Sequence, residues 1–555
     1  MPTLDAQLDA GLRKNTGAHY TPTSLAGFVA SQIFDQVEKK NLKKTKTLKV
    51  IDPAVGDGEL LRNLIQIAYS RGFNKIEVFG FDINQDAVDA SLDLIKKDFP
   101  EVKADIKTQD FLEWVSETYG GSLFSKTDVP LFDLVIANPP YVRTQVMGAE
   151  KAQKLAEDFN LSGRVDLYHA FLKGIEKLLK PEGVVGIIVS NRFLTTKSGE
   201  AVRKNLLNDF SVLHVWDLGD TRLFEAAVLP AVLLLQKETS KDADPRFTSI
   251  YLSGKNTKID PQQVFQSLEG EESEHFKVLH GKLDIGNKIG DTWRLAHDKA
   301  DLWLKKVKEK TQLLFGDIGK VKVGIKTTAD NVFIVSDISK FNGNLPETLK
   351  PLITHHVARR YKTDSAKKHV VYTHEEIGNK KKPIDLDQYP NVKRYLEEHK
   401  DQLSSRSYVI DSGRNWYEIW VPHNPKTWEK PKLVFRDISE QPIFWMDQTG
   451  GVVNGDCYWL TSEEDNSELL WLALAIANSK FVEEFYDHSF NNKLYSGRRR
   501  FITQYVEKFP LPDPKSKIAK EIINLTKSIY ELPVDAEFDS QEEKLNKLVY
   551  SAFGL

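Results

Sequence analysis

Residues 132–141, FDLVIANPPY, run from a stretch of apolar side chains into an amide, two prolines and an aromatic ring. Consecutive prolines fix φ and remove two N–H donors, which leaves carbonyl oxygens free to accept. With the Asn138 side-chain oxygen and the Pro139 carbonyl side by side, Asn138, Pro139 and Pro140 suit an exocyclic amine whose two hydrogens both need acceptors. The lone pair of an amine such as adenine N6 is delocalised into the ring and becomes nucleophilic only as the nitrogen pyramidalises. Fixed acceptors therefore favour the transition state over the ground state. Tyr141 supplies a face on which a base can stack. No general base is needed first, because a proton can leave after the new bond to nitrogen has formed. The competing explanation is a rigid Pro-Pro turn without chemistry.

Three earlier strand-like runs weigh against that explanation. VIDPAVGDGELL, residues 50–61, is a strand ending in Asp52 followed by a turn containing Pro53, Gly56 and Gly58. A glycine turn between strand and helix brings backbone N–H groups close to a ligand at the carboxyl end of a parallel strand. Asp82 ends the next run, VFGFDI, where doubly wound nucleotide sites place an acid on the ribose hydroxyls. Asp110 and Phe111 follow the third run and suit an adenine amino group and ring face. GxGxxG is absent from the first turn, so an adenosine-type ligand without pyrophosphate fits better than a dinucleotide.

The elements that must hold these residues are readable too. TLKVID, IEVFGFDI, ADIKT, FDLVIAN, GVVGIIVS, VLHVWDL and VLPAVLLLQ are strand-like, and most are rich in Val, Ile and Leu, as strands buried on both faces are. LLRNLIQIAYSR, NQDAVDASLDLIKKDF, VDLYHAFLKGIEKLLK and EAVRKNLLNDF place apolar residues at helical spacing between them. The alternation predicts a doubly wound α/β domain over residues 1–244. Polar, turn-rich sequence then marks a connection. Strand-like VKVGIKTTADNVFIVS and VVNGDCYWL and helix-like SELLWLALAIANSKFVEEFYDH predict an α+β domain over 245–555, ending in a helical pair at about 516–555.

Among 555 residues there is a single cysteine, Cys457, which excludes an internal disulfide and a cysteine-based zinc site. No metal site is expected. No apolar run reaches the length of a membrane span, and the first residues lack the apolar core of a signal peptide, so a cytoplasmic setting is expected. A net charge of -3 is unusual for a nucleic-acid-binding chain, but basic residues cluster at 305–310, 320–326, 359–368 and 498–500. Each such run, taken singly, also reads as a solvated surface.

In this order the motifs resemble the gamma-class adenine-N6 DNA methyltransferases, the bacterial restriction–modification family typified by the TaqI methyltransferase. GAHYTP at 17–22 looks like the family's first cofactor motif; DPAVGDG, FDI, QDF and NPPY follow, and GRVDLYHAFL, GVVGIIVSNRFL and TRLFEAAVLPAVLLLQK look like its later motifs. The resemblance implies a Rossmann-like methyltransferase domain followed by an α+β target-recognition domain. It implies S-adenosylmethionine as cofactor, with Tyr20, Thr21, Pro22, Asp52, Ala54, Gly56, Asp82, Ile83, Asp110, Phe111 and Asn138 lining its site. Ala54 departs from the Phe or Gly common at that position. Asn138, Pro139, Pro140 and Tyr141 would be catalytic, Phe224 would stack on the flipped base, and Arg143 would contact substrate. GIKTTADNVFI at 324–334 and the later KFPLPDP are similar to recognition regions of larger members.

The expected partner is double-stranded DNA, bound by a monomer in the bacterial nucleoid, with a separate cognate endonuclease. NPPY also serves enzymes that methylate protein glutamine or RNA adenine, so those remain alternatives. A specificity protein with an inactive methyltransferase fold is another. The long second half, with Trp416, Trp420, Trp428, Lys493 and SGRRRF from Ser496, favours DNA. A fused nuclease is disfavoured, since Asp535 and Glu542-Glu543-Lys544 lie on an amphipathic helix.

Overall fold

The computed structural model describes residues 21–555 except 41–43, 120–129, 142–148, 162–165, 222, 224–228, 238–243, 254–260, 270–274, 296–297, 379, 491–497 and 534. The chain forms two compact units that divide at 297/298.

The first unit is built on one ten-stranded sheet. Its strands are β1 Leu48–Asp52, β2 Ile76–Asp82, β3 Lys103–Thr108, β4 Phe132–Ala137, β5 Leu179–Ser190, β6 Ser211–Asp217, β7 Pro230–Gln236, β8 Arg246–Leu252, β9 Phe276–Asp284 and β10 Arg294–Leu295. The order is β10-β9-β8-β6-β7-β5-β4-β1-β2-β3. β3, β2, β1, β4 and β5 run parallel, and β7 inserts antiparallel between β5 and β6. β1 leads outward to β2 and β3, whereas β4 leads the other way to β5. The strand order thus reverses between β1 and β4, where open α/β sheets form ligand crevices outside the strands' carboxyl ends.

Period-two alternation sorts the buried side chains onto two faces. Val50, Leu134, Ile136, Val184 and Ile188 join one core cluster, while Ile51, Val135, Ala137, Val185 and Ile187 join the other. Helices α1 Thr23–Lys39, α2 Glu59–Ser70 and α3 Gln85–Asp98 cover the first face. Helices α4 Phe111–Tyr119, α5 Ala149–Asp158, α6 Tyr168–Leu178 and α7 Glu200–Asp209 cover the second. Both faces are therefore dry, which is why the central runs read as continuously apolar. α1 lies close on the sheet: a Cβ at Gly186 of β5 would stand 2.7 Å from both Ile33 and Val29. Only glycine there lets this helix settle at that depth.

The boundary expected at 244/245 falls inside this sheet. β8 pairs parallel with β6, β9 pairs antiparallel with β8, and β10 closes the edge, so the first unit continues for about fifty residues past the expected break. Part of the polar stretch after β8 that read as a linker is a helix, Pro261–Glu269.

In the second unit, one four-stranded sheet joins Lys322–Val323, Cys457–Leu460, Lys432–Arg436 and Phe444–Asp447. Another joins Ile334–Val335, Lys368–Val371, Leu349–Ile353 and Val452–Val453. The strand expected over 321–336 is interrupted by a helical turn, Asp330–Phe333. Helices Ser467–Ala477, Lys480–Phe490, Lys517–Glu531 and Asp539–Ala552 pack on the first of these sheets. Among the described residues of the chain, no helix is long and apolar enough to cross a membrane.

At the amino end of β4, opposite the crevice, Asp133 accepts from Lys46 Nζ at 3.0 Å, Lys180 Nζ at 2.7 Å and the Lys49 N–H at 3.0 Å, tying β1, β4 and β5 together. Burial pushes this carboxyl up, but the two ammonium groups and the N–H outweigh burial and hold it below its ordinary value. A depressed folded-state pKa contributes stability above the unfolded value and loses it as the pH falls through the folded one. Asp133→Asn should therefore cost about 2 kcal/mol at pH 7 in urea denaturation. The difference from wild type should shrink as the pH drops below about 4.

Candidate active site

Because β1, β2, β3 and β4 run parallel, their carboxyl ends bring Asp52, Asp82, Asp110 and Asn138 to one edge of the sheet. Asp52 closes β1 and is fully buried. Its Oδ1 accepts the Ala54 N–H at 3.0 Å, and its Oδ2 is buried with no hydrogen-bond partner among the described residues. Burial, with the carboxylates of Asp82 and Asp57 nearby, pushes the Asp52 carboxyl up to about 8. An orphaned buried carboxylate oxygen costs free energy unless a donor or a cation meets it.

The turn beyond Asp52 is shaped by its glycines. Gly56 has φ +52°, and a Cβ there would meet nothing within 4 Å, so space opens above its backbone. Gly58 has φ +84°, and a Cβ there would stand 2.6 Å from Ser91 Oγ of α3. The first glycine leaves room and the second permits α2 to start against α3. Asp82 fastens the turn to β2: its Oδ2 accepts the Gly56 N–H at 3.0 Å while its Oδ1 accepts the Asn84 N–H at 2.9 Å. The next residue, Ile83, is 68% exposed, an apolar side chain in water at a strand end.

Asp110 Oδ1 accepts the Leu112 N–H at 2.9 Å and so caps α4. Phe111 was expected to present its ring to a ligand, but the ring is buried and stacked on Phe171 with centroids 5.3 Å apart. What Phe111 can offer from that position is its backbone N–H, in the first turn of α4 where no intrahelical acceptor exists.

The proline turn is locked at both ends of one amide. Asn138 Nδ2 donates to Thr21 Oγ1 at 3.0 Å, and Tyr141 OH donates to Asn138 Oδ1 at 2.8 Å. Thr21 lies just ahead of α1, so the helix packed on Gly186 brings Thr21 to the proline turn. Pro22 starts that helix with extended backbone, and Pro139 is buried beneath the turn. Desolvation raises the Tyr141 phenol, which keeps it protonated as a donor. Tyr20, Arg143 and Phe224 lie outside the described residues.

Sequence reasoning missed a second polar cluster on the same edge. Asp217 at the end of β6 is fully buried; its Oδ1 accepts from Asn191 Nδ2 at 2.9 Å and the Gly219 N–H at 3.2 Å, and its Oδ2 accepts from Tyr251 OH of β8. Its acidic strand end was visible in VLHVWDL, yet the partner in β8 lay beyond the expected boundary.

The edge thus offers an unpartnered buried acid, an open glycine turn, an exposed apolar side chain and a rigid amide. That set fits a ligand with a cationic or donor group at one end and an apolar ring at the other. A family model for the Eco57I restriction-modification methylase matches residues 59–224, and one for the TaqI-like C-terminal specificity domain matches residues 351–511. The type II methyltransferase M.BstVI of Geobacillus stearothermophilus is 25% identical, covering 97% of this chain and 96% of its own. The fold is similar to that in the cryo-electron microscopy structure of a DrdV–DNA complex, at a TM-score of 0.54 and 12% identity over 94% of this chain and 58% of that one. The type II methyltransferase M.BanIII of Aneurinibacillus aneurinilyticus is 37% identical over 572 residues, 98% of each chain. Such kinship implies S-adenosylmethionine as cofactor, and the residues at the sheet edge fit it. The chain belongs to the type II DNA methyltransferases of restriction–modification systems.

Proposed function

We propose that the chain transfers a methyl group from S-adenosylmethionine to N6 of an adenine rotated out of double-stranded DNA. The observation that carries this reading is the Asn138 amide, held by Thr21 on one side and Tyr141 on the other, on the sheet edge where Asp52 also ends its strand. With Nδ2 donating to Thr21 Oγ1, Oδ1 is the acceptor atom of this amide. Asn138 Oδ1 and the Pro139 carbonyl accept the two amino hydrogens and stabilise positive charge as it develops on nitrogen. Tyr141 stacks on the base, a role Phe224 shares by family resemblance. The cofactor supplies an electrophilic methyl on a sulfonium. Asp52 receives cationic charge, Asp82 and Ile83 hold the ribose and the purine, and Asp110 with the Phe111 N–H meets the purine edge. The methylated nitrogen then loses a proton to solvent.

Cytosine C5 methylation is disfavoured because it needs a thiolate nucleophile. The single cysteine, Cys457, is fully buried in the second unit, with its thiol pushed well above its ordinary value by burial and by Asp456. The first unit holds the catalytic role and the second the reading of sequence. The proposed setting is the bacterial cytoplasm, with a cognate endonuclease as a separate chain.

Asn138→Ala should lower tritiated methyl transfer to DNA by about 100- to 1000-fold, while calorimetric affinity for S-adenosylmethionine changes little; retained turnover would defeat the assignment. A second expectation concerns Asp52. With its carboxyl pushed up to about 8 by burial and by Asp82 and Asp57, the free protein holds the proton at pH 7. A cationic ligand favours the ionised form, so binding should release a proton and tighten as the pH rises toward about 8. Calorimetry in two buffers of different ionisation heat should show this release in wild type and its loss in Asp52→Asn; identical proton release in both proteins would remove Asp52 from the cofactor site.

A further inference from the structure

In the second unit His374–Ile377 and Lys380–Pro383 pair antiparallel as an isolated two-stranded ribbon. One of its faces is committed to the body of the unit. His374 is buried with Nε2 3.3 Å from Glu418 Oε2, and the Glu376 carboxylate, on the same face, binds Lys426 Nζ at 2.7 Å. Beside the ribbon's base, Thr373 Oγ1 accepts the Ile419 N–H at 3.2 Å and the Ile384 carbonyl accepts from Tyr417 OH at 2.8 Å. These contacts fix the ribbon before anything binds.

The other face is different. The register Glu375↔Lys382 and Ile377↔Lys380 places both lysines, Glu375 and Ile377 on it, and at the tip Ile377 is 48% exposed. Lys380 and Lys382 are exposed, and among the described residues their side chains meet no carboxylate. Of the ribbon's acids, Glu376 is drawn off to Lys426, while Glu375 stands across from Lys382. Sequence alone points instead to the basic run before Phe501, but Arg499 is held by Asp487 at 2.8 Å and Arg500 by Asp437 at 3.1 Å. Those guanidinium groups are already in ion pairs; among the described residues the ribbon lysines form none.

We propose that the free face of this ribbon, through Lys380 and Lys382, contacts the phosphate backbone of the duplex DNA substrate. Residues two apart on a strand share a face about 6.8 Å apart, and a two-stranded ribbon is an element that the major groove admits. Unpaired ammonium groups on a rigid support bind phosphate with release of condensed counterions, without reading bases. The inference rests on DNA being the substrate and is independent of which base is methylated.

The test is the salt dependence of binding, followed by fluorescence anisotropy with a labelled random-sequence duplex of about three helical turns. Each phosphate contact contributes about 0.9 to the slope of log affinity against log salt. The double variant Lys380→Gln with Lys382→Gln should lower that slope by about 1.8 and weaken binding at least about tenfold near 0.1 M salt. Lys380→Arg with Lys382→Arg should restore both. Lys96→Gln with Lys97→Gln, exposed on α3, should leave the slope unchanged. An unaltered slope in the ribbon variant, an equal change in the α3 variant, or a wild-type protein without salt-dependent affinity would overturn the proposal. Calorimetric binding of S-adenosylmethionine, measured in parallel, reports on the methyl-transfer reading and is unaffected by any of these outcomes.

Discussion

Fixing one amide in space is the constraint around which the first unit is arranged. An asparagine side chain on a free turn would rotate and present nitrogen or oxygen indifferently, and an amine substrate would gain nothing from it. Here Asn138 Nδ2 donates to Thr21 Oγ1 and Tyr141 OH donates to Oδ1, so the amide is held at both ends. Holding that geometry requires parts distant in sequence. β4 must end where it does, α1 must lie deep enough on the sheet to deliver Thr21, and Gly186 must lack a side chain for α1 to reach that depth. Preorganised acceptors of this kind cost no reorganisation when charge develops, which is where they outperform water.

Electrostatics next to that amide follow from the same architecture. A parallel sheet gathers the ends of β1, β2 and β3 at one edge, and three acids arrive together. Asp82 and Asp110 spend oxygens on backbone N–H groups of the turns they stabilise. Asp52 is satisfied at one oxygen only, and burial raises its carboxyl. The crevice is thereby poised for positive charge.

Much of the first unit was legible because its signals are local. Strands buried on both faces must be apolar throughout, and a glycine turn or a Pro-Pro pair restricts φ whatever surrounds it. Long-range facts were not legible. β8 and β9 look like parts of a separate domain because polar connections flank them, and only pairing with β6 shows them to be sheet. Phe111 stands at the expected strand end, but whether its ring turns outward or packs on Phe171 depends on α6, which no local pattern encodes. In the second unit the same limit applies to charge. The run at Arg498–Arg500 and the run at Lys380–Lys382 look alike in sequence, and they differ because carboxylates from Asp437 and Asp487 fold onto the arginines.

The central claim, that an oriented amide and a backbone carbonyl accept the hydrogens of an adenine amino group, is tested most directly by the identity of the product. Duplex DNA incubated with the purified protein and S-adenosylmethionine carrying a labelled methyl group, then digested to nucleosides and resolved by mass spectrometry, should place the label in N6-methyladenine. Label in 5-methylcytosine or N4-methylcytosine would contradict the account.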